Sequence, residues 1–159
     1  MTWLGLTEAT CNLWALYILE TVALVPWELT HDGYEFSAET REERILAYIA
    51  GGRNFKEDLQ SGFNAYQGFL PLEPFLQLQE AFGWELFHTL AKEYRGLSDA
   101  ETPVTEEARL QEWLLRISKT AGVNLVPFYL DWGFPIDPAI QSELSLLPAW
   151  DLNPMDPYD

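Results

Sequence analysis

Apolar residues recur along this chain at intervals of three and four, the spacing that places them on one face of a helix. The pattern predicts a helix over 7–22, with Thr7 able to cap it and Glu8 set against the positive end of its dipole. Leu13, Trp14, Leu16, Tyr17, Ile18 and Leu19 surround most of its circumference, so it is expected to be buried on most sides. Pro26 ends it, and 28–37 reads as a polar loop with Asp32-Gly33 as a turn. Thr40-Arg41-Glu42-Glu43 has capping-box spacing, with Ile45, Tyr48 and Ile49 following at helical intervals until Gly51-Gly52. Residues 53–68 lack a clear period and read as a loop with one irregular turn.

The second half is more regular. A helix is predicted over 71–82, Gly83 breaks it, and another runs to Arg95 with Trp84, Phe87, Leu90, Ala91 and Tyr94 on one face. After a linker over 99–103, Thr105 caps the clearest amphipathic helix, with Leu110, Trp113, Leu114 and Ile117 inward and Gly122 at its end. Two short apolar helices, 124–132 and 138–147, are separated by Gly133-Phe134-Pro135. No stretch alternates as a strand would. The expected class is all-α, a compact multi-helix fold with one core over 1–150 and a frayed acidic tail over 151–159.

Composition supports a folded domain: 159 residues, 48% hydrophobic and 14% aromatic, suffice for a substantial core. Charge narrows the partners. With 25 acidic against 9 basic residues the formal net charge is -16, and no Lys or Arg occurs before Arg41 or after Lys119. Such a surface repels phosphates, which disfavours nucleic acid and anionic membrane surfaces and suits basic protein surfaces or metal ions, while also serving solubility. The run 13–25 is interrupted by Glu20 and too short to span a bilayer, and no basic residues precede it, so neither membrane insertion nor a signal peptide is expected. A single cysteine, Cys11, excludes an internal disulfide and a cysteine-based zinc cluster, and suits an intracellular setting.

Candidate chemistry is sparse. Glu85 and His88 have the Glu-x-x-His spacing of di-iron bundles, but that chemistry needs a second copy and two further glutamates. His31, beside Asp32, reads as an exposed turn residue. Cys11 lies one turn into an apolar helix, where cysteine behaves as a small hydrophobe, and neither histidine is spaced as its base. Gly51-Gly52 is followed by Arg53 rather than a phosphate-loop lysine. The pairs Glu42-Glu43 and Glu106-Glu107 sit in helix first turns, where the dipole accounts for them. Of the tryptophans, Trp14, Trp84 and Trp113 fall on apolar faces and are expected in the core, whereas Trp132 and Trp150 lie near breaks and have the better claim to exposure.

Three blocks carry a resemblance: Thr7-Glu8-Ala9-Thr10-Cys11-Asn12-Leu13-Trp14; Leu76-Gln77-Leu78-Gln79-Glu80-Ala81-Phe82-Gly83-Trp84-Glu85; and Asn124-Leu125-Val126-Pro127-Phe128 followed by Asp131-Trp132-Gly133-Phe134-Pro135-Ile136. Together they resemble the C-terminal part of the enhancin-like peptidase domain, metallopeptidase family sixty, and within it the TRP channel-associated factors. The resemblance implies a helical C-terminal subdomain of a gluzincin-like domain. In the catalytic branch a His-Glu-x-x-His motif and a downstream glutamate bind zinc, and its members cut glycoproteins. Glu8 matches that downstream glutamate. Only seven residues precede it and none is histidine, so the two imidazoles and the base have no match here and zinc is implied only if the motif lies upstream.

In the channel-associated branch the zinc motif is degraded and the implied role is to bind a TRP channel and alter its trafficking or gating. The wording of the first block, with Cys11 and Trp14, favours this branch. The expectation is an N-terminally truncated, non-catalytic part of such a protein. Its partners would be a TRP channel and the upstream half of the same domain, and its setting cytoplasmic, peripheral at the plasma membrane through the channel. The alternative is a fragment of an active zinc peptidase. Cutting such a subdomain from its other half should leave apolar surface uncovered, first of all on the opening helix.

Overall fold

The structure is a computed structural model, and it describes residues 7–30, 33–60 and 69–158, without the side chains of Thr7, Glu8, Glu28 and Gln60. Seven α-helices are present among these: α1 Thr7–Thr21, α2 Ala38–Ala50, α3 Glu73–Phe82, α4 Trp84–Arg95, α5 Glu106–Ala121, α6 Val126–Asp131 and α7 Pro138–Leu144. No strand forms among the described residues, and extended pairing is confined to one parallel bridge between Asn124 and Ala149. The all-α expectation therefore holds. Where the sequence pattern suggested one core, the chain groups into two compact units, Leu6–Leu76 and Gln77–Asp159, divided within α3.

In the first unit α1 packs against the 3-10 turns Trp27–Leu29 and Leu70–Leu72, and α2 against the 3-10 turn Gly33–Phe36. Among its described side chains α1 buries one stripe, Ala9, Thr10, Leu13 and Leu16, at the i, i+1, i+4 and i+7 positions of one face. This corrects the expectation of burial on most sides. Ile18 is exposed, as are Val22 and Leu24 beyond the helix, while Trp14, Tyr17 and Leu19 are half-buried. Uncovered apolar surface is not concentrated on this helix: Val104, Leu146 and Leu152 of the other unit are more exposed than Ile18.

The second helix starts earlier than its capping-box spacing suggests. Ser37, not Thr40, is the N-cap, and its hydroxyl oxygen accepts from the Thr40 amide at 3.2 Å. Serine is the stronger cap and leaves Thr40 free to become the third helical residue. Ile45 and Tyr48 face inward as predicted, and the helix ends at Gly51-Gly52, with Gly52 at φ +96°. The irregular turn expected after it is the π-helical turn Phe55–Gln60, which buries Phe55 and Leu59. The predicted loop residues 61–68 lie outside the described residues, as do His31 and the Asp32 half of the predicted turn.

The second unit follows its sequence pattern closely. Gly83 at φ +73° breaks α3 from α4, a conformation that costs glycine little. Thr105 caps α5 by accepting from the Ala108 amide at 3.1 Å, and Gly122 ends it at φ +74°. Leu110, Trp113, Leu114 and Ile117 are all buried. Each such side chain contributes roughly 1.5–3 kcal/mol relative to exposure. The helix packs against α4 on one side and α7 on another.

Two expectations fail here. Trp132 is wholly buried and Trp150 half-buried, its ring 5.1 Å from Phe82 and 5.6 Å from Phe128. A position near a chain break does not expose a ring when the break turns the chain back onto its own helix. Nor is the tail frayed over its described part. Met155 is wholly buried, and Asn153 donates to Asp131 at 2.7 Å while accepting from the Met155 amide at 3.1 Å.

Candidate functional site

Three places concentrate polar chemistry. The first is the opening turn of α1, which holds Glu8. The side chain of Glu8 lies outside the described residues, so its surroundings are not assigned. The backbone places it one residue before the buried stripe that begins at Ala9. Cys11, three residues on, is exposed, which corrects its expected role as a core hydrophobe: at i+2 from Ala9 it points off the buried face.

The second place was not anticipated. Glu73, the first residue of α3, is wholly buried and held by two guanidiniums of α2. Arg41 Nε donates to Glu73 Oε2 at 2.9 Å, and Arg44 Nη1 donates to Glu73 Oε1. The other nitrogen of Arg44 donates to the Glu35 carboxylate at 2.5 Å and to the Glu35 carbonyl at 3.0 Å. Its guanidinium carbon also stands 5.7 Å from the Phe69 ring centre. Burial pushes the Glu73 carboxyl up, and the Arg41 and Arg44 guanidiniums pull it down.

Two arginines matched to two carboxylates are neutral as a group and fill each other's hydrogen-bonding positions. The arrangement fixes the turn Gly33–Phe36, α2 and the start of α3 to one another and leaves Glu73 poorly placed to serve as a base or ligand. One trace was present in the sequence, Arg41 and Arg44 three apart on a helix whose buried face carries Ile45 and Tyr48. The carboxylate they meet is 32 and 29 residues away, beyond any local pattern.

The third place is the polar interior of the second unit. Trp132 Nε1 donates to Gln77 Oε1 at 2.8 Å, and Gln77 Nε2 donates to the Met155 sulfur at 3.6 Å. The Tyr129 hydroxyl, the Ser118 hydroxyl and the Leu114 carbonyl form a closed triangle, with separations of 2.7, 2.9 and 3.0 Å. Burial drives the Tyr129 phenol far up, only partly offset by Ser118. Every group here is neutral and internally satisfied. Gln77 and Trp132 come from the second and third of the blocks that carry the family resemblance, so that resemblance is written in core contacts.

Glu85 and His88 do lie together on α4, Nδ1 to Oε2 at 3.7 Å. Glu85 is largely exposed, and its other oxygen stands 3.8 Å from Lys92 Nζ. The pair thus sits on an exposed face of α4 with a cation beside its carboxylate. Among the described residues no group of three or more His, Cys, Asp or Glu side chains is arranged to hold a metal, and no helix is long and apolar enough to cross a membrane.

The all-α fold, with a core contact between two of these blocks, agrees with the helical subdomain that the blocks resemble. The sequence model described as Peptidase M60, enhancin and enhancin-like matches residues 1–133, and the chain belongs to that family. It is similar to the TRPM8 channel-associated factor homolog of Xenopus laevis, 39% identical over 152 residues, covering 96% of this chain and 16% of that protein. It is also similar to the human TRPM8 channel-associated factor 2, 40% identical over 152 residues, covering 96% of this chain and 15% of that one. The chain thus spans a small part of the length of the relatives it matches.

Among solved structures it resembles one described as a functionally unknown conserved protein mutant from Bacillus anthracis str. Ames, with TM-score 0.69 and 30% identity over 94% of this chain and 28% of that one.

Proposed function

We propose that this chain is a non-catalytic, protein-binding helical part of a protein of the TRP channel-associated factor type, and that its partner is a TRP channel whose trafficking or gating it affects. The observation that supports this most is the similarity over 96% of the chain to relatives named for association with TRPM8. The site chemistry agrees in kind. The buried carboxylate is committed to two arginines, and the exposed features are apolar side chains on an acidic surface. Such a surface suits a basic protein partner better than a lipid or nucleic acid surface. A cytoplasmic position at the plasma membrane, reached through the channel, follows from the same reading.

Co-precipitation tests it. Expressed in cells beside TRPM8, the 159-residue chain should recover the channel, and channel current or surface delivery should change; failure to recover it would sink the reading. Metal analysis of the purified chain separates the peptidase alternative. Zinc at one equivalent, lost on Glu8→Ala, would overturn the non-catalytic part.

A further inference from the structure

The linker between α4 and α5, residues 96–105, contains no buried residue. Ser98 stands exposed in it, with Asp99 directly after it and Glu101 three residues on. Among the described serines and threonines, Ser98 is the one with acids at both places. Thr40 has acids two and three residues on, but it is half-buried within α2. Thr105 is followed by two acids, but its hydroxyl caps α5.

The local geometry is a single closed turn. Ser98 Oγ donates to Glu101 Oε2 at 2.6 Å, and the Ser98 amide donates to the same oxygen at 3.0 Å. The Glu101 and Thr102 amides donate back to the Ser98 carbonyl at 3.0 and 3.2 Å. The Ser98 hydroxyl and amide hold the Glu101 carboxyl below its ordinary value, so it is charged at neutral pH. Residues 98–102 are all exposed, and a turn of this kind opens at little cost, letting the segment extend into an enzyme cleft.

A hydroxyl followed by fixed negative charges suits a kinase whose substrate cleft is basic. Arg95, three residues before Ser98, offers an arginine-directed kinase one cation. The acidic cleft of such an enzyme would meet Asp99, Glu101 and a chain of net charge -16, so the balance favours the acid-directed kind. We propose that Ser98 is a phosphorylation site of an acid-directed protein kinase.

The donor is magnesium-bound ATP. Ser98 Oγ forms the new bond to the γ-phosphorus, the bond from that phosphorus to the β–γ bridging oxygen breaks, ADP leaves, and the hydroxyl proton passes to the kinase's own base. The ester has no O–H to give Glu101, and its charge of about -2 faces that carboxylate. Modification therefore opens the turn, while the α5 cap, built on a different hydroxyl, persists.

The whole chain, incubated with magnesium ATP and casein kinase II, should gain one phosphate, placed on Ser98 by fragmentation of the tryptic peptide 96–109. Protein kinase A, which is arginine-directed, should act at least about tenfold more slowly. Ser98→Ala should abolish incorporation, and Glu101→Gln should slow it about tenfold. In the modified chain the Glu101 and Thr102 amides should exchange hydrogen about five- to tenfold faster, as for one lost hydrogen bond, with no change at the Ala108 amide.

No incorporation, phosphate on Thr102 or Thr105, or a faster reaction with protein kinase A overturns the proposal. So does faster modification of Glu101→Gln, which would show the acid restraining the hydroxyl rather than recruiting the enzyme. Chain recovered from animal cells with phosphatase inhibitors present should carry the same phosphate, and its absence there overturns use of the site in cells. None of these readouts depends on channel recovery, so this site and the channel reading stand or fall separately.

Discussion

The two units satisfy their buried polar groups in opposite ways. In the first, a buried carboxylate is neutralised by two arginines that reach it from a helix some thirty residues earlier in the chain. In the second, glutamine, tryptophan, tyrosine, serine and methionine close short neutral contacts around regular amphipathic helices, and Asn153 adds a bond to the half-buried Asp131 carboxylate. The difference shows in regularity: the first unit depends on 3-10 and π turns, the second on helices with evident caps and stops. A core closed by charge is intolerant of losing one partner, because the survivor is left charged and buried. A neutral core loses about one hydrogen bond at a time.

Glu73→Gln tests the charged core most severely. It leaves Arg41 and Arg44 facing a neutral amide and should lower stability by about 3–5 kcal/mol in denaturant unfolding. A loss below about 1 kcal/mol would mean that the arginines turn to water or to Glu35 and that the contrast between the units is false.

Met155→Ala comes next. Removing a wholly buried methionine should lower stability by about 2–5 kcal/mol. A frayed tail would give less than about 0.5 kcal/mol, the ordinary effect of an exposed site.

The smallest effect is felt only in alkali. Burial raises the phenols of Tyr48 in the first unit and of Tyr94 and Tyr129 in the second. Their folded-state values lie above the unfolded value near about 10, so the folded state holds these protons longer. Their contribution is therefore fully present below pH of about 10 and is lost as pH rises through the folded values. Tm should fall above that pH together with the appearance of phenolate absorbance. Tyr129→Phe should flatten the fall, and phenolate appearing well before unfolding would show the second unit to be more open than its burial indicates.

Legibility in the sequence divides along the same line. Thr105, Gly122 and Gly83 act through their immediate neighbours, so the ends of α4 and α5 can be read from a few residues. The resemblance blocks are legible for a related reason, since Gln77 and Trp132 fix a core contact that any chain with this packing needs. The start of α2 is misread because Ser37 and Thr40 compete for one capping role and spacing alone does not rank them. The all-round apolar character of α1 suggests full burial, whereas the neighbours available within its unit cover one stripe. Glu73 gives no local signal at all, since a buried acid differs from an exposed one only through arginines distant in the chain. For Glu8, which matches a zinc-binding glutamate by resemblance alone, the structure adds its place in the first turn of α1.

One small contact gives the second unit an internal gauge. The Asn124 amide donates to the Pro148 carbonyl at 2.8 Å, within the bridge that joins Asn124 to Ala149. This pins together the two ends of the segment holding α6 and α7, like the clasp of a loop. Hydrogen exchange at that one amide therefore reports whether the whole segment has undocked, separately from the fraying of either short helix.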